Sequence, residues 1–421
     1  MASKTALVLA GGGARGAYQV GVIRYLREGL PEPARSRVRF DVLAGCSVGA
    51  VNACFLAATA HRPKHQGRLL QDYWEALRSE EVYSLSLPDL VRLCVWLLRG
   101  QVAATGRRPP RVGLLNSAPL ARIVREQFPW VNIEANLAAG LLEAIAISAT
   151  DIATGRTYVF AQTRDGHIPA WSKDPRRVGV AARIRPDHAL ASAAIPLLFP
   201  PIELDGRLFC DGGLRQMAPI SPALRLGADR LLVVSLRHEM VSAEEEAAAQ
   251  RETLAAYPGA VFLLGKMLNA LLLDQLDYDL HSLAIVNSIL ATGERVYGPG
   301  FLGHINEAMA TVRGIGYRRA QTLVLRPSRD LGEIAARHAT RMRFGRGWAR
   351  LFKAGLRLAA PSDPKAEGDL LSYLLFDGTY ARELAQLGYE DAAARRDELV
   401  AFFTPLLDQP EPLRTITRPA G

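Results

Sequence analysis

Thr5-Ala-Leu-Val-Leu-Ala10 is an apolar run of strand length that breaks at Gly11-Gly-Gly-Ala-Arg-Gly16, and Phe40-Asp-Val-Leu-Ala44 is a second that breaks at Gly45-Cys-Ser47-Val-Gly49. Each glycine turn opens into a segment of helical spacing, about Ala17 to Leu30 after the first and about Val48 to Ala60 after the second. Strand, turn and helix in alternation predict a parallel sheet covered by helices. Further strands are expected at Glu143 to Ser148, Thr157 to Phe160 and Arg230 to Ser235, all rich in Ile, Val and Leu, with a last strand-like piece at Thr322 to Leu325. After about residue 241 the chain turns to an Ala/Glu run and then to long helical patterns. Pro361 to Gly368, rich in Pro, Asp and Lys, reads as a linker or a surface loop. There is no internal repeat. The expectation is one elaborated α/β domain, with residues 1–240 as its core and 241–421 as a mostly helical extension packed on it.

The chain has 421 residues, 49% of them hydrophobic, enough to bury a large core, and a formal charge of +9. That charge suits an anionic partner such as acidic lipid or nucleic acid. Nucleic acid is disfavoured, because the basic residues are not interleaved with any recognisable binding module. Met-Ala-Ser-Lys runs directly into the first strand without the features of a secretory signal, and the four cysteines at 46, 54, 94 and 210 have neither metal-ligand spacing nor disulfide density. A cytoplasmic protein without a metal or cofactor is expected. The longest apolar stretches, 85–98 and 259–273, are interrupted by Asp89, Arg92 and Lys266 and fall short of a span. Contact with a membrane would then be peripheral, at its inner face.

Gly45-Cys-Ser47-Val-Gly49 stands between a strand and a helix, the context in which G-x-S-x-G holds a nucleophilic serine on a sharp turn. Small flanking residues keep side chains clear of that turn, and Ser47 would face outward at the positive end of a helix dipole. The competing reading is a glycine turn with a helix-capping serine. None of the eight histidines, at 61, 65, 167, 188, 238, 281, 304 and 338, sits in a comparable motif. The better candidate base is Asp211, in Phe209-Cys-Asp211-Gly212-Gly213, although Asp-Gly-Gly is also an ordinary Asx or hairpin turn. Gly11 to Gly16 would aim backbone N–H groups at a negative charge, whether a phosphate or the oxyanion of a tetrahedral intermediate. Gly11, Gly13 and Gly16 also satisfy G-x-G-x-x-G. A dinucleotide site, however, needs an acidic residue at the end of the second strand, where this chain has the Ser47 turn, and Asp41 lies at the wrong end. The oxyanion reading is preferred.

These three motifs, in this order, resemble those of the patatin-like phospholipase family. Val8 to Gly21 resembles its oxyanion segment, Gly45 to Gly49 its nucleophile elbow and Asp211 to Gly213 its aspartate motif; Ala191-Ser-Ala-Ala-Ile-Pro196 and Ser372 to Tyr380, with Leu387-Gly388 beyond, also look familial. The resemblance implies a three-layer α/β/α fold and metal-independent hydrolysis of phospholipid or other acyl-lipid esters. It makes Ser47 the nucleophile and Asp211 its proton acceptor, with Gly11, Gly12, Gly13, Ala14, Arg15 and Gly16 around the oxyanion hole and Gly45, Gly49, Gly212 and Gly213 supporting the motifs. Two positions depart from the family pattern. Cys46 stands where Thr is common, with packing beneath the turn as its expected role. Met217 lies where Asn is common, which would remove a hydrogen bond behind the Asp211 loop. Arg15 reads equally as an anion contact or a solvent-facing support of the loop.

An acyltransferase or thioesterase would use the same elbow, and a non-catalytic nucleotide- or lipid-binding regulator would use only the glycine loop. Two segments fit a membrane surface. Residues 341–358 place Arg343, Arg346, Arg350, Lys353 and Arg357 opposite Phe344, Trp348, Leu351 and Phe352, a pattern that also fits a helix packed on the core. Leu85 to Leu98 reads as a lid, or as a buried helix. Head group, acyl position and oligomeric state are not encoded in any motif.

Overall fold

Strands β1 (Thr5–Leu9), β2 (Val42–Cys46) and β3 (Ala144–Asp151) are buried at every position, so both faces of the sheet they form are covered. The computed structural model describes residues 3–83, 113, 115–169, 171, 174, 176–196, 198–238, 247, 250–251, 275–341 and 364–404. The remaining strands are β4 (Thr157–Thr163), β5 (Arg177–Ala181), β6 (Ile202–Leu204), β7 (Arg207–Asp211), β8 (Arg230–Val234) and β9 (Gln321–Leu325). Their order is β5-β4-β3-β2-β1-β8-β9, with β7 and β6 off this path beside β3. The pairs β3–β2, β2–β1, β1–β8, β8–β9 and β4–β5 are parallel, whereas β3–β4, β3–β7 and β6–β7 are antiparallel.

The principal helices are α1 (Ala17–Arg24), α2 (Val48–Ala58), α3 (Gln66–Ala76), α4 (Ala118–Gln127), α5 (Val131–Ala138), α6 (Pro186–Ser192), α7 (Gln275–Tyr297), α8 (Phe301–Arg313), α9 (Leu331–Arg341), α10 (Pro364–Leu374), α11 (Gly378–Ala394) and α12 (Arg396–Phe403). Alternate strand positions feed two cores. Leu7, Leu9, Leu43, Ile145, Ile147 and Val234 meet helices α1 to α3, α11 and α12 on one face. Val8, Val42, Ala44, Ala146 and Val233 meet α7 and α10 on the other. The region beyond residue 241 therefore supplies an edge strand and part of both cores. Backbone contact fixes α11 on α1: a Cβ on Gly21 would lie 1.7 Å from Ala385 O, and one on Gly388 2.1 Å from Tyr18 O.

Several boundaries differ from expectation. The helix expected from Ala17 to Leu30 is α-helical only to Arg24 and ends in a π turn over Tyr25–Gly29, closed by Leu30 N donating to Tyr25 O. Strand β2 lies two residues later than Phe40–Ala44, because Gly45 and Cys46 pair with Ile147 and Ser148 of β3 despite their weak strand preference. Pro364 to Gly368 is not a linker but the start of α10. Proline suits a first helical position, and a Cβ on Gly368 would meet Gly332 O at 2.5 Å, so that glycine serves close helix packing. Residues 85–98, 259–273 and 342–358 lie outside the described residues. Among those described, no helix is long and apolar enough to cross a membrane.

Candidate active site

The Ser47 turn is built by close backbone approach. A Cβ on Gly45 would lie 2.3 Å from Gly49 O, and one on Gly49 2.2 Å from Leu9 O, so neither position admits a side chain. Ser47 itself takes φ 52 and ψ −127, a backbone state in which a side chain costs about 1–3 kcal/mol. Its N–H donates to Ser192 Oγ at 2.9 Å, and Ser192 Oγ donates to Ser148 O at 2.6 Å, which locks the turn to α6 and β3. The strain gives a stability prediction. Ser47→Gly should be more stable than Ser47→Ala by about 1 kcal/mol, since only glycine relieves the positive φ. Urea unfolding of the two variants checks this, and an alanine variant equal to or better than the glycine one refutes the strain.

Register brings Asp211 to the same place. Strand β2 ends with Cys46 opposite Ser148 of β3, and antiparallel β7 comes from the other direction along that same edge and ends with Asp211 opposite Ala149. The two strands meet end to end, Ser47 at the tip of one and Asp211 at the tip of the other. Gly212 permits this, because a Cβ there would meet Ser148 O at 2.2 Å. Asp211 Oδ1 accepts from Gly213 N at 2.7 Å, and Thr150 Oγ1 donates to Asp211 O at 3.0 Å. Thus Asp-Gly-Gly is an Asx turn and the candidate base at once. Oδ2 is buried without a partner that meets both distance and angle for a hydrogen bond. Burial raises the carboxyl to about 6, a rise tempered by the neighbouring Ser47 hydroxyl and by Gly213 N.

The departures from the family pattern have structural answers. Cys46 is fully buried beneath the turn, and burial together with the nearby Asp211 charge pushes its thiol well up, which keeps it protonated. Met217 is buried in the second core and its carbonyl accepts from Gly11 N at 3.2 Å. The Asp211 loop is instead supported by Thr150 and by Gln216, whose N donates to Gly212 O at 3.0 Å and whose Oε1 accepts from Ser148 Oγ at 3.3 Å.

The glycine loop lies against Ser47: a Cβ on Gly11 would be 2.9 Å from Ser47 Cβ. With Gly12 at φ 154 and Gly13 at φ 56, the chain turns sharply into a 3-10 turn over Gly13–Gly16. Gly11 N is committed to Met217 O and Arg15 N to Gly12 O. Among the described residues, the N–H groups of Gly12, Gly13 and Ala14 donate to nothing. Arg15 is neither solvent-facing nor directed at the turn. It is buried, with Nε donating to Ser372 Oγ at 2.7 Å and Nη2 3.4 Å from Asp369 Oδ1, both on α10. Asp41 is fully used at the foot of the sheet, where its Oδ2 accepts from Thr5 N and its Oδ1 from Arg39 Nε, both at 2.9 Å.

Ser47 opens into an apolar cavity of about 760 Å³ including its mouth, bounded by Val51, Leu70, Trp74, Leu120, Phe128 and Phe376 among others. Among the described residues no histidine lines it. His188, the most buried one, packs tilted against Phe160 and accepts from Arg185 N, and burial lowers it to about 4. Among the described residues no cluster of His, Cys, Asp and Glu could hold a metal ion. Sequence reasoning missed the roles of Ser192, Gln216, Tyr373 and Phe376. Only the Ala191–Pro196 and Ser372–Tyr380 segments had marked their neighbourhoods.

Comparison with known proteins points to one family. The family model for patatin-like phospholipase matches residues 7–224. A protein named cGAMP-activated phospholipase, from Pseudomonas aeruginosa, is 32% identical over 213 residues, which are 51% of this chain and 53% of that protein. An uncharacterized NTE family protein of Mycobacterium bovis is 30% identical over 236 residues, 55% of this chain and 49% of its own length. The chain thus matches about half the length of these curated relatives. The crystal structure of VipD from Legionella pneumophila aligns at 13% identity with a TM-score of 0.35, over 94% of this chain and 67% of that one, a likeness too low to carry any argument.

Proposed function

Since this chain belongs to the patatin-like phospholipase family, we propose that it hydrolyses acyl-lipid esters with Ser47 as nucleophile and Asp211 as the only side-chain base. The observation that carries the reading is the end-to-end meeting of β2 and β7 on β3, beside a cavity lined by no histidine among the described residues. The ester lies with its acyl chain in the cavity and its carbonyl oxygen toward the Gly12, Gly13 and Ala14 N–H groups. Ser47 Oγ attacks the carbonyl carbon as its proton passes to Asp211 Oδ2, the buried oxygen without a partner. The negative charge that develops on the carbonyl oxygen is met by the loop N–H groups. Collapse expels the alcohol, which takes the proton from Asp211 and leaves an acyl-Ser47. A water then gives one proton to Asp211 as its oxygen bonds to the acyl carbon, and collapse breaks the bond to Ser47 Oγ, which takes that proton from Asp211 as the fatty acid leaves.

A strong base is not needed in the resting state. With its carboxyl raised to about 6, Asp211 is mostly ionised at neutral pH yet more basic than an ordinary aspartate, which suits proton transfer. The substrate comes from a membrane or micelle surface, and the net charge of +9 favours an anionic one.

The test is fatty acid release from mixed phospholipid vesicles by the full chain, by Ser47→Ala and Asp211→Ala, and by single changes of each histidine. Because the Pseudomonas relative is named for activation by cGAMP, the assay is run with and without it. Release should fall by at least about 10⁴-fold in both dyad variants and persist in every histidine variant. Loss in a single histidine variant, or release that survives Asp211→Ala, overturns the dyad. Ester formation in place of acid when glycerol is added would make the protein an acyltransferase.

A further inference from the structure

Both ends of the glycine loop are held from inside the protein by one chain of hydrogen bonds. Trp74 Nε1 donates to Asn52 Oδ1 at 3.0 Å, and Asn52 Nδ2 donates to Gln19 Oε1 at 2.9 Å and to Gly16 O at 3.3 Å. Gln19 Nε2 in turn donates to Ala10 O at 2.7 Å. Ala10 and Gly16 bracket the loop, and Gln19 and Asn52 are fully buried, while Trp74 lines the cavity. The direction of every bond follows from the first. An indole N–H only donates, so Asn52 must turn its oxygen to Trp74 and its two N–H groups toward Gly16 and Gln19. The Gln19 oxygen then faces Asn52, which leaves its N–H for Ala10. Water is excluded from these groups, so each bond polarises the next, and losing one strands a buried carbonyl.

The loop needs such a hold. Glycines have many backbone states of similar energy, so Gly11 to Gly13 do not fix themselves. Stabilising an oxyanion demands donors that are already aimed before the charge appears. We propose that Gln19, Asn52 and Trp74 are positioning residues that preset the Gly12, Gly13 and Ala14 N–H groups from the two ends of the loop, an inference that rests on the reading of Ser47 as nucleophile.

The test uses the full chain carrying Gln19→Leu, Asn52→Leu or Trp74→Phe, reacted with a fluorophosphonate probe and with a p-nitrophenyl ester. Burst amplitude counts the competent sites, and the acylation rate constant reports the aim of the loop. The amplitude should stay close to stoichiometric, with KM little changed in the two leucine variants. The rate constant should fall about 10²-fold in the two leucine variants and about two- to tenfold in Trp74→Phe. Asn136→Leu is the control for a structural effect. It removes an equally buried amide bond, Asn136 Nδ2 to Ala57 O at 2.7 Å, at the far end of α2, and should keep the wild-type rate constant. Wild-type acylation rates in the leucine variants, or an equal loss in Asn136→Leu, overturn the proposal. Where the leucine variants do not fold, an unchanged rate in Trp74→Phe overturns it. Wild-type protein that the probe does not label removes the Ser47 reading and this inference with it, a result distinct from labelled wild type with unaffected variants.

Discussion

Asp211→Asn should abolish hydrolysis and, above pH 6, make the protein more stable than the wild type. Burial lifts the Asp211 carboxyl from the ordinary 3.8 to about 6. Between those values the folded chain keeps a proton that the unfolded chain has released, so folding loses stability as pH rises from about 4 to about 6, and the loss is complete above that. At about 1.4 kcal/mol per pH unit the penalty comes to about 3 kcal/mol. Asparagine carries no such penalty. Its Oδ1 can keep the bond from Gly213 N, and its Nδ2 replaces the oxygen that has no partner and can donate to the Ser47 hydroxyl. Activity should drop on the order of 10⁴-fold, because an amide accepts no proton. For the wild type, kcat/KM should rise with pH through a midpoint near 6. Denaturant unfolding at pH 5 and pH 8 tests the stability half: the gap between variant and wild type should widen at the higher pH. A variant less stable at pH 8, or a gap indifferent to pH, would mean that Asp211 is not a strained carboxylate.

Asp211 was harder to single out in the sequence than Ser47. The Ser47 turn was legible because Gly45 and Gly49 are there for local approach, to each other and to Leu9. Asp211-Gly-Gly is equally local, but its bond to Gly213 N is the one any Asx turn makes. What sets Asp211 apart is its pairing with Ala149 at the point where β2 stops, a fact of register between distant segments. The supports are more distant still: Ser192 reaches Ser47 across 145 positions, and Ser372 reaches Arg15 across 357. No periodicity or motif carries such pairings. Sequence texture divided the chain near residue 241 for the same reason, since β9 and α10 look like additions until β8 and the glycine loop are seen beside them.

The dependence of the site on α10 leads to the second large effect. Arg15→Met should destabilise the protein by about 3 kcal/mol and lower kcat together with it. Burial works against the Arg15 charge, but Tyr373, Asp369, Asp330 and Tyr380 outweigh it and hold the guanidinium's pKa above its usual value. Methionine fills much of the same space and removes the bond to Ser372 Oγ, the ion pair with Asp369 and the stacking over the Tyr373 ring, 4.4 Å from its centre. The buried Asp369 carboxylate then loses the Arg15 charge beside it. Tyr373 O presses on Gly13, where a Cβ would come within 2.3 Å, so movement of α10 is movement of the glycine loop. Lysine should restore part of the stability through its charge but less of the activity, because it lacks the flat fork that joins Ser372 and Asp369. Unfolding midpoints and ester hydrolysis for the two variants, measured side by side, decide the matter. If Arg15→Met unfolds within about 1 kcal/mol of the wild type and turns over at its rate, then Arg15 only fills space and α10 covers the loop without holding it.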